Sequence, residues 1–177
     1  MREKGGPIDI EKNPPATKVW RWMAKIILAL QGCRNWNDKK SVNDYVRLRL
    51  GRSSGASFLT ELSPVPAKGV RDKSWMQWFK SQDHDLDQKL KQRKTKLQEK
   101  LSENRSSLII CYGRGSADEF ADLLDAKWQP LSSTMSSCCD RRCWLLPFFG
   151  NGRMSEAIVA EFNAATAAAS PAPRLSR

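Results

Sequence analysis

Nothing in this chain is apolar for long enough to cross a bilayer. The richest apolar stretch, Trp20 to Leu30, is interrupted by Arg21 and Lys25 and falls well short of about 18 residues. The opening Met-Arg-Glu-Lys-Gly-Gly-Pro lacks the apolar region of a signal peptide, so no membrane partner and a cytoplasmic location are expected. Histidine is nearly absent. The single His84 lies between Asp83 and Asp85, and nothing in its spacing sets it against a serine for triad chemistry. It reads as an exposed loop residue. There is no CxxC pair: Cys138-Cys139-Asp-Arg-Arg-Cys143 has adjacent cysteines and a three-residue gap, unlike the ligand spacing of structural zinc sites. The odd total of five cysteines suits free thiols in a reducing compartment. Neither a metal nor any other cofactor is expected. Full nucleotide-binding motifs are missing too. Gly113-Arg-Gly115 has no third glycine three residues on, and Gly150-Asn-Gly-Arg-Met-Ser155 is not a Walker loop.

What the chain does have is positive charge. Thirty Lys and Arg against 19 Asp and Glu leave +11, an excess that attracts polyanions, with DNA or RNA ahead of acidic membranes. Apolar residues make up 40% of the 177, enough for a folded core and about right for one domain.

Residues 1–16 read as a flexible arm ending in Asn13-Pro14-Pro15. Thr17 caps an expected helix over 18–30, with Val19, Trp22, Met23, Ile26, Ile27 and Leu30 on one face. A weaker helix is expected from Val42 to Leu50, closed by Gly51. Ser57-Phe-Leu-Thr-Glu-Leu62 reads as a strand stopped by Ser63-Pro64-Val-Pro66. A polar, irregular segment follows, carrying Trp75, Trp78 and Phe79. From Asp85 to Ser102 the recurrence of Leu86, Leu90, Leu97 and Leu101 predicts a helix. Its basic remainder, from Lys89 to Lys100, reads as a solvated face.

The densest signal is Ser107-Leu-Ile-Ile-Cys-Tyr-Gly-Arg-Gly-Ser116. An unalternating apolar run breaks at two glycines, and Ala-Asp-Glu-Phe-Ala-Asp-Leu-Leu124 continues with a helical pattern. Ser116 is the candidate N-cap, with Asp118 and Glu119 in the first turn. Gln129 to Cys139 reads as a Ser-rich loop. Cys143 to Phe149 is a third buried strand, broken at Gly150-Asn-Gly152, with Ser155 capping a helix through Ile158 and Phe162. The Ala/Pro/Ser-rich stretch over 164–177 is expected to be a disordered tail. Strands alternating with helices imply an α/β layered domain over 17–163 with a parallel sheet, in which ligands bind at the carboxyl ends of the strands.

Two glycine loops at strand ends, each with an arginine, suit phosphate contacts: Gly113, Arg114 and Gly115 in one, Gly150, Asn151, Gly152, Arg153 and Ser155 in the other. Trp75, Trp78, Phe148 and Phe149 have the right chemistry to stack on bases, or alternatively to complete the core.

The order of these segments resembles the uracil-DNA glycosylase superfamily. Phe58-Leu-Thr-Glu-Leu-Ser-Pro64 corresponds to the strand that carries the base-recognition loop, and the Leu86–Leu101 helix follows it. Leu108-Ile-Ile-Cys-Tyr-Gly-Arg-Gly115 corresponds to the strand with a small-residue turn. Leu145-Leu-Pro-Phe-Phe-Gly-Asn-Gly-Arg-Met-Ser155 corresponds to the last strand and its minor-groove loop. Asn13-Pro-Pro-Ala-Thr-Lys-Val-Trp20 is similar to the segment opening a helix after the family's first motif. The likeness spans residues 13–162 as pattern and order. It implies a three-layer sandwich with a short, mostly parallel central sheet, and a DNA-binding protein of the base-excision type. The family's Asp/Glu–Pro motif has no match before Asn13. Its base-reading asparagine falls near Glu61, which accepts but cannot donate hydrogen bonds when ionised, and its loop histidine falls on Phe148. The resemblance therefore implies DNA, single-stranded DNA included, as partner and Glu61 as the residue left for catalysis. Two alternatives stand beside it: a non-enzymatic nucleic-acid or partner-binding module, and a phosphate-ligand enzyme of similar architecture.

Overall fold

A computed structural model describes residues 17–52, 57–61, 77, 81–83, 85–104, 107–139, 142–150 and 152–169. In chain order its main elements begin with helices α1 (Lys18–Leu30), α2 (Lys39–Leu48) and α3 (Leu86–Glu103). Strand β1 (Ile109–Tyr112), a 3-10 turn (Arg114–Ser116) and helix α4 (Ala117–Leu124) follow. Strands β2 (Gln129–Pro130), β3 (Ser136–Cys138) and β4 (Cys143–Leu146) precede helix α5 (Glu156–Ala169). The chain is mixed α/β, and its residues group into two compact units: Met1–Leu59 with Phe148–Arg177, and Thr60–Pro147.

The first unit is helical. Thr17 caps α1 as expected, its hydroxyl accepting from the Trp20 N–H at 3.4 Å. Ala24 and Leu28 of α1 pack against Val42, Tyr45 and Val46 of α2 and against Leu50, with Trp20, Met23, Ile27, Trp36 and Leu59 around them. Ile26 and Ala29 are buried as well, because α1 is covered by α5 in addition to α2. The single expected stripe is therefore too narrow: α1 is apolar on two sides and has a neighbour on each. Helix α2 starts earlier than Val42 because Asp38 caps it, its carboxylate accepting from the Ser41 amide at 2.8 Å and hydroxyl at 3.0 Å.

Ser155 caps α5 through its hydroxyl, which accepts from the Ile158 N–H at 3.3 Å, and Val159 and Phe162 are buried. The helix continues to Ala169, into the stretch expected as a tail, because alanine is the best helix former and Ala-rich sequence extends a helix already anchored by packing. Glu156 in its first turn binds the Lys25 ammonium at 2.8 Å and accepts from Asn37 Nδ2 at 3.3 Å, and Lys25 lies 4.7 Å from the Trp22 ring centre.

The second unit carries the sheet, in the order β1-β4-β3-β2. β1 and β4 are parallel neighbours, with Ile109 opposite Cys143 and Tyr112 opposite Leu146. β4 pairs antiparallel with β3, and β3 antiparallel with β2. The sheet is thus mixed rather than mostly parallel, because Gln129–Cys139 supplies two strands where a loop was expected. Ser136 and Ser137 are 4% and 2% exposed in the middle of the sheet. Ladders on both sides satisfy their backbone groups, so the small polar side chains do not prevent burial. Trp144 and Leu146 are fully buried, as a central strand requires.

Phe58–Glu61 is no strand. Phe58 is 73% exposed, and the Glu61 carbonyl, which a ladder would use, accepts from the Arg93 guanidinium at 2.6 and 3.1 Å. Leu62 lies outside the described residues. Helix α3 packs on α4, with Lys94 bonded to Asp122 at 2.6 Å and Gln98 donating to the Leu123 carbonyl at 3.3 Å.

Candidate functional site

The β1 strand ends where the sequence places a turn. Gly113 has φ +97° and ψ +86°, a conformation that a side chain would strain, and its N–H donates to the Leu146 carbonyl at 3.0 Å. Arg114 is exposed but engaged: Nη1 donates to the Ser133 carbonyl at 2.5 Å, tying the strand-end turn to the loop before β3. Gly115 is exposed within the 3-10 turn. Ser116 sits at the N-cap position without a side-chain capping bond, correcting the expectation for that residue. Asp118 and Glu119 occupy the first turn of α4, where they already complement its dipole. An incoming phosphate would meet two carboxylates there, which leaves Arg114 as the cationic side chain of this loop.

Glu61 is exposed, and its charge reaches the hydroxyl of Tyr112, the last residue of β1. Burial raises the Tyr112 pKa above its ordinary value, and the Glu61 carboxylate raises it further. The Glu61 segment is held from α3, where Arg93 donates to its carbonyl and, at 3.0 Å, to the Thr60 hydroxyl. Glu61 is thus near enough to Tyr112, the last residue of β1, for its charge to act there, and it is carried by a segment that is not a strand. Tyr112 and Arg93 escaped sequence reasoning. One looks like the end of an apolar run, the other like part of a solvated basic face.

In the helical unit, Phe149 is 2% exposed and belongs to the core, whereas Phe148 is 38% exposed. The Phe148 ring lies against Gly150: a Cβ there would come within 2.6 Å of its Cε1. Gly152 has φ +70° and open space around it, and the exposed Arg153 donates its N–H to the Gly150 carbonyl at 3.4 Å. Ser155 is used in capping α5. The pairing of Phe148 with Phe149 thus splits into one accessible ring and one packed ring. Asn151, Trp75, Trp78 and His84 lie outside the described residues.

A second cluster is built by the β3–β4 pairing. Cys138 is the cross-strand partner of Cys143, and with Cys139 they bring three sulfurs within 4.8 Å of one another. The Cys139 thiol lies 3.7 Å from the sulfur of Cys138. Cys138 and Cys143 are buried, Cys139 is exposed, and Cys111 of β1 is close enough to be affected by Cys143. Burial pushes the Cys111 thiol up to about 12 and that of Cys143 to about 11, and it raises Cys138 strongly; Cys139 adds to the shifts of Cys138 and Cys143. Cys139 holds φ +53°, a left-handed conformation that costs a non-glycine residue about 1–2 kcal/mol. Beside it a cleft of about 730 Å³ is lined by Leu101, Leu124, Asp125, Cys139 and Arg142, among others.

No family model, curated protein or solved structure matches this chain.

Proposed function

We propose that this protein binds DNA on a uracil-DNA glycosylase-like α/β fold and has no measurable uracil-excision activity of its own. The observation that carries the reading is the parallel adjacency of β1 and β4. In the chain β1 runs into Gly113-Arg114-Gly115, read as a phosphate-contacting loop, and β4 is followed by Phe148–Ser155, read in the same way and matched by the resemblance to the minor-groove loop. Three features support it. The chain carries +11. Lys91 and Lys96 are exposed on α3 and form no ion pair among the described residues. Phe148 is 38% exposed in the same loop that carries Arg153. In the sheet unit phosphates would be met by Arg114 and the α3 lysines; in the helical unit they would be met by Arg153, and a splayed base by Phe148.

Fluorescence anisotropy of the full chain with labelled single-stranded and duplex DNA tests this reading. Binding is expected at low salt and should weaken with a log–log slope of roughly 0.9 per phosphate contacted on duplex and 0.7 on single strands. Arg114→Ala and Arg153→Ala should each lower that slope by about one contact. Absence of binding at low salt, or affinity that does not change with salt, removes nucleic acid as the partner.

A further inference from the structure

We propose that Cys138, Cys139 and Cys143 form a three-thiolate site for a thiophilic metal ion of the zinc class, entered from the cleft beside Cys139. The geometry is the first ground. Thiolates around tetrahedral zinc, with bonds of about 2.3 Å, stand roughly 3.8 Å apart. Cys138 and Cys139 are already at 3.7 Å, and the whole set lies within 4.8 Å, so closing on an ion needs sulfur movements on the scale of a side-chain rotation.

The second ground is how the site is held. Two ligands come from paired positions of adjacent strands, which fixes their sulfurs on the sheet. The third comes from the residue just after β3, kept left-handed although glycine or asparagine would adopt that conformation more easily. Its sulfur is the exposed one, giving the ion a path in and leaving the fourth position facing the cleft, the arrangement of an open zinc site.

Charge is the third ground. Three thiolates and a divalent ion leave one net negative charge, and Arg142 on the cleft wall, next to Cys143 in the chain, supplies a cation for it. Binding is a ligand exchange without redox change: three S–H protons pass to solvent as three metal–sulfur bonds form. The site is independent of the DNA-binding reading.

Titration of the reduced full-length chain with Cd²⁺, a spectroscopic stand-in for zinc, tests the proposal. The thiolate-to-cadmium charge-transfer band should saturate at one ion per chain, Zn²⁺ should bleach it, and native mass spectrometry should give the same stoichiometry. Cys139→Ser should weaken binding by roughly a hundredfold or more, since even groups behind the ligands are worth 10- to 100-fold. Cys139→Gly relieves the left-handed residue, so it should fold at least as stably while losing the ion. Cys33→Ser, in the helical unit, should change nothing. Absence of the band, equal affinity in folded Cys139→Gly, or loss of binding in Cys33→Ser overturns the proposal. So does recovery of the unreduced chain with a disulfide among these three cysteines that persists in the presence of Zn²⁺ and thiol reductant.

Discussion

Single residues decide the ends of the strands. Gly113 is buried at φ +97°, between β1 and the 3-10 turn, and its N–H extends the β1–β4 ladder by one bond. Gly113→Ala should therefore destabilise the protein by about 1–3 kcal/mol, the cost of holding a side chain in a sparsely populated conformation. Chemical denaturation checks this, and the midpoint should fall without a change in slope. The same substitution at Gly115, whose φ is not positive, should cost less. Equal losses at the two sites would show that the turn adapts and that φ at Gly113 is not the constraint. The contrast matters because Arg114, between them, is aimed at Ser133 by this turn.

At the scale of elements, the tie between α1 and α5 is electrostatic at its rim. The Lys25 ammonium and then the Asn37 amide hold Glu156 below its ordinary pKa of 4.5. A carboxylate with a depressed folded-state pKa binds fewer protons in the native than in the unfolded protein around that pH. Its contribution is fully present above about 4.5 and is lost as pH falls through the lower, folded value. Stability measured by denaturant titration should thus decline below pH 4.5 in the wild type, and more shallowly in Glu156→Gln. Because Glu156 is exposed, high salt should reduce the difference between the two proteins. An unchanged pH profile in Glu156→Gln would mean that the pair contributes nothing to the docking of α5.

For the whole molecule, the question is whether the proposed DNA binding is joined to chemistry. A glycosylase must hold a flipped base and stabilise charge as the glycosidic bond breaks. At the β1 end Glu61 and Tyr112 are the two groups shown to influence each other, and burial together with the Glu61 charge keeps the tyrosine protonated well above neutrality. Under the proposed glycosylase-like reading Phe148 falls where the family has a histidine, and a phenyl ring cannot stabilise negative charge on a departing base. Each lost charge-stabilising group costs about 2.7–4 kcal/mol, a hundredfold or more in rate. No uracil release from single-stranded or duplex DNA is therefore expected. Release that Glu61→Gln abolishes would show an active enzyme with Glu61 as its catalytic residue; Arg93→Ala, which frees the Glu61 segment, should then lower activity as well.

The local code was legible along the chain. Thr17 and α1, the leucine periodicity of α3, the β1 run with its glycine turn, the apolar β4 and the Ser155 cap all follow from short-range patterns of hydrophobicity, capping and backbone freedom, which need no partner to be read. What depends on distant segments was not. Serine-rich β3 has no strand signature of its own and is a strand because β2 and β4 flank it. Phe58–Glu61 has strand propensity, but Arg93 from α3 takes the carbonyl a ladder would need. The alanines after 163 are helical because α5 is already anchored by Val159 and Phe162. Cysteine spacing did not reveal the thiol cluster because it measures separation along one loop, whereas antiparallel register sets Cys138 opposite Cys143 across two strands. The sequence by itself determined where α1, α3, β1 and β4 lie and how strongly basic the protein is, since these are local or additive properties. Tertiary structure alone decided which sulfurs meet, which arginine is already engaged and which phenylalanine stays accessible. Those outcomes depend on long-range pairing, whose register no window of neighbouring residues contains.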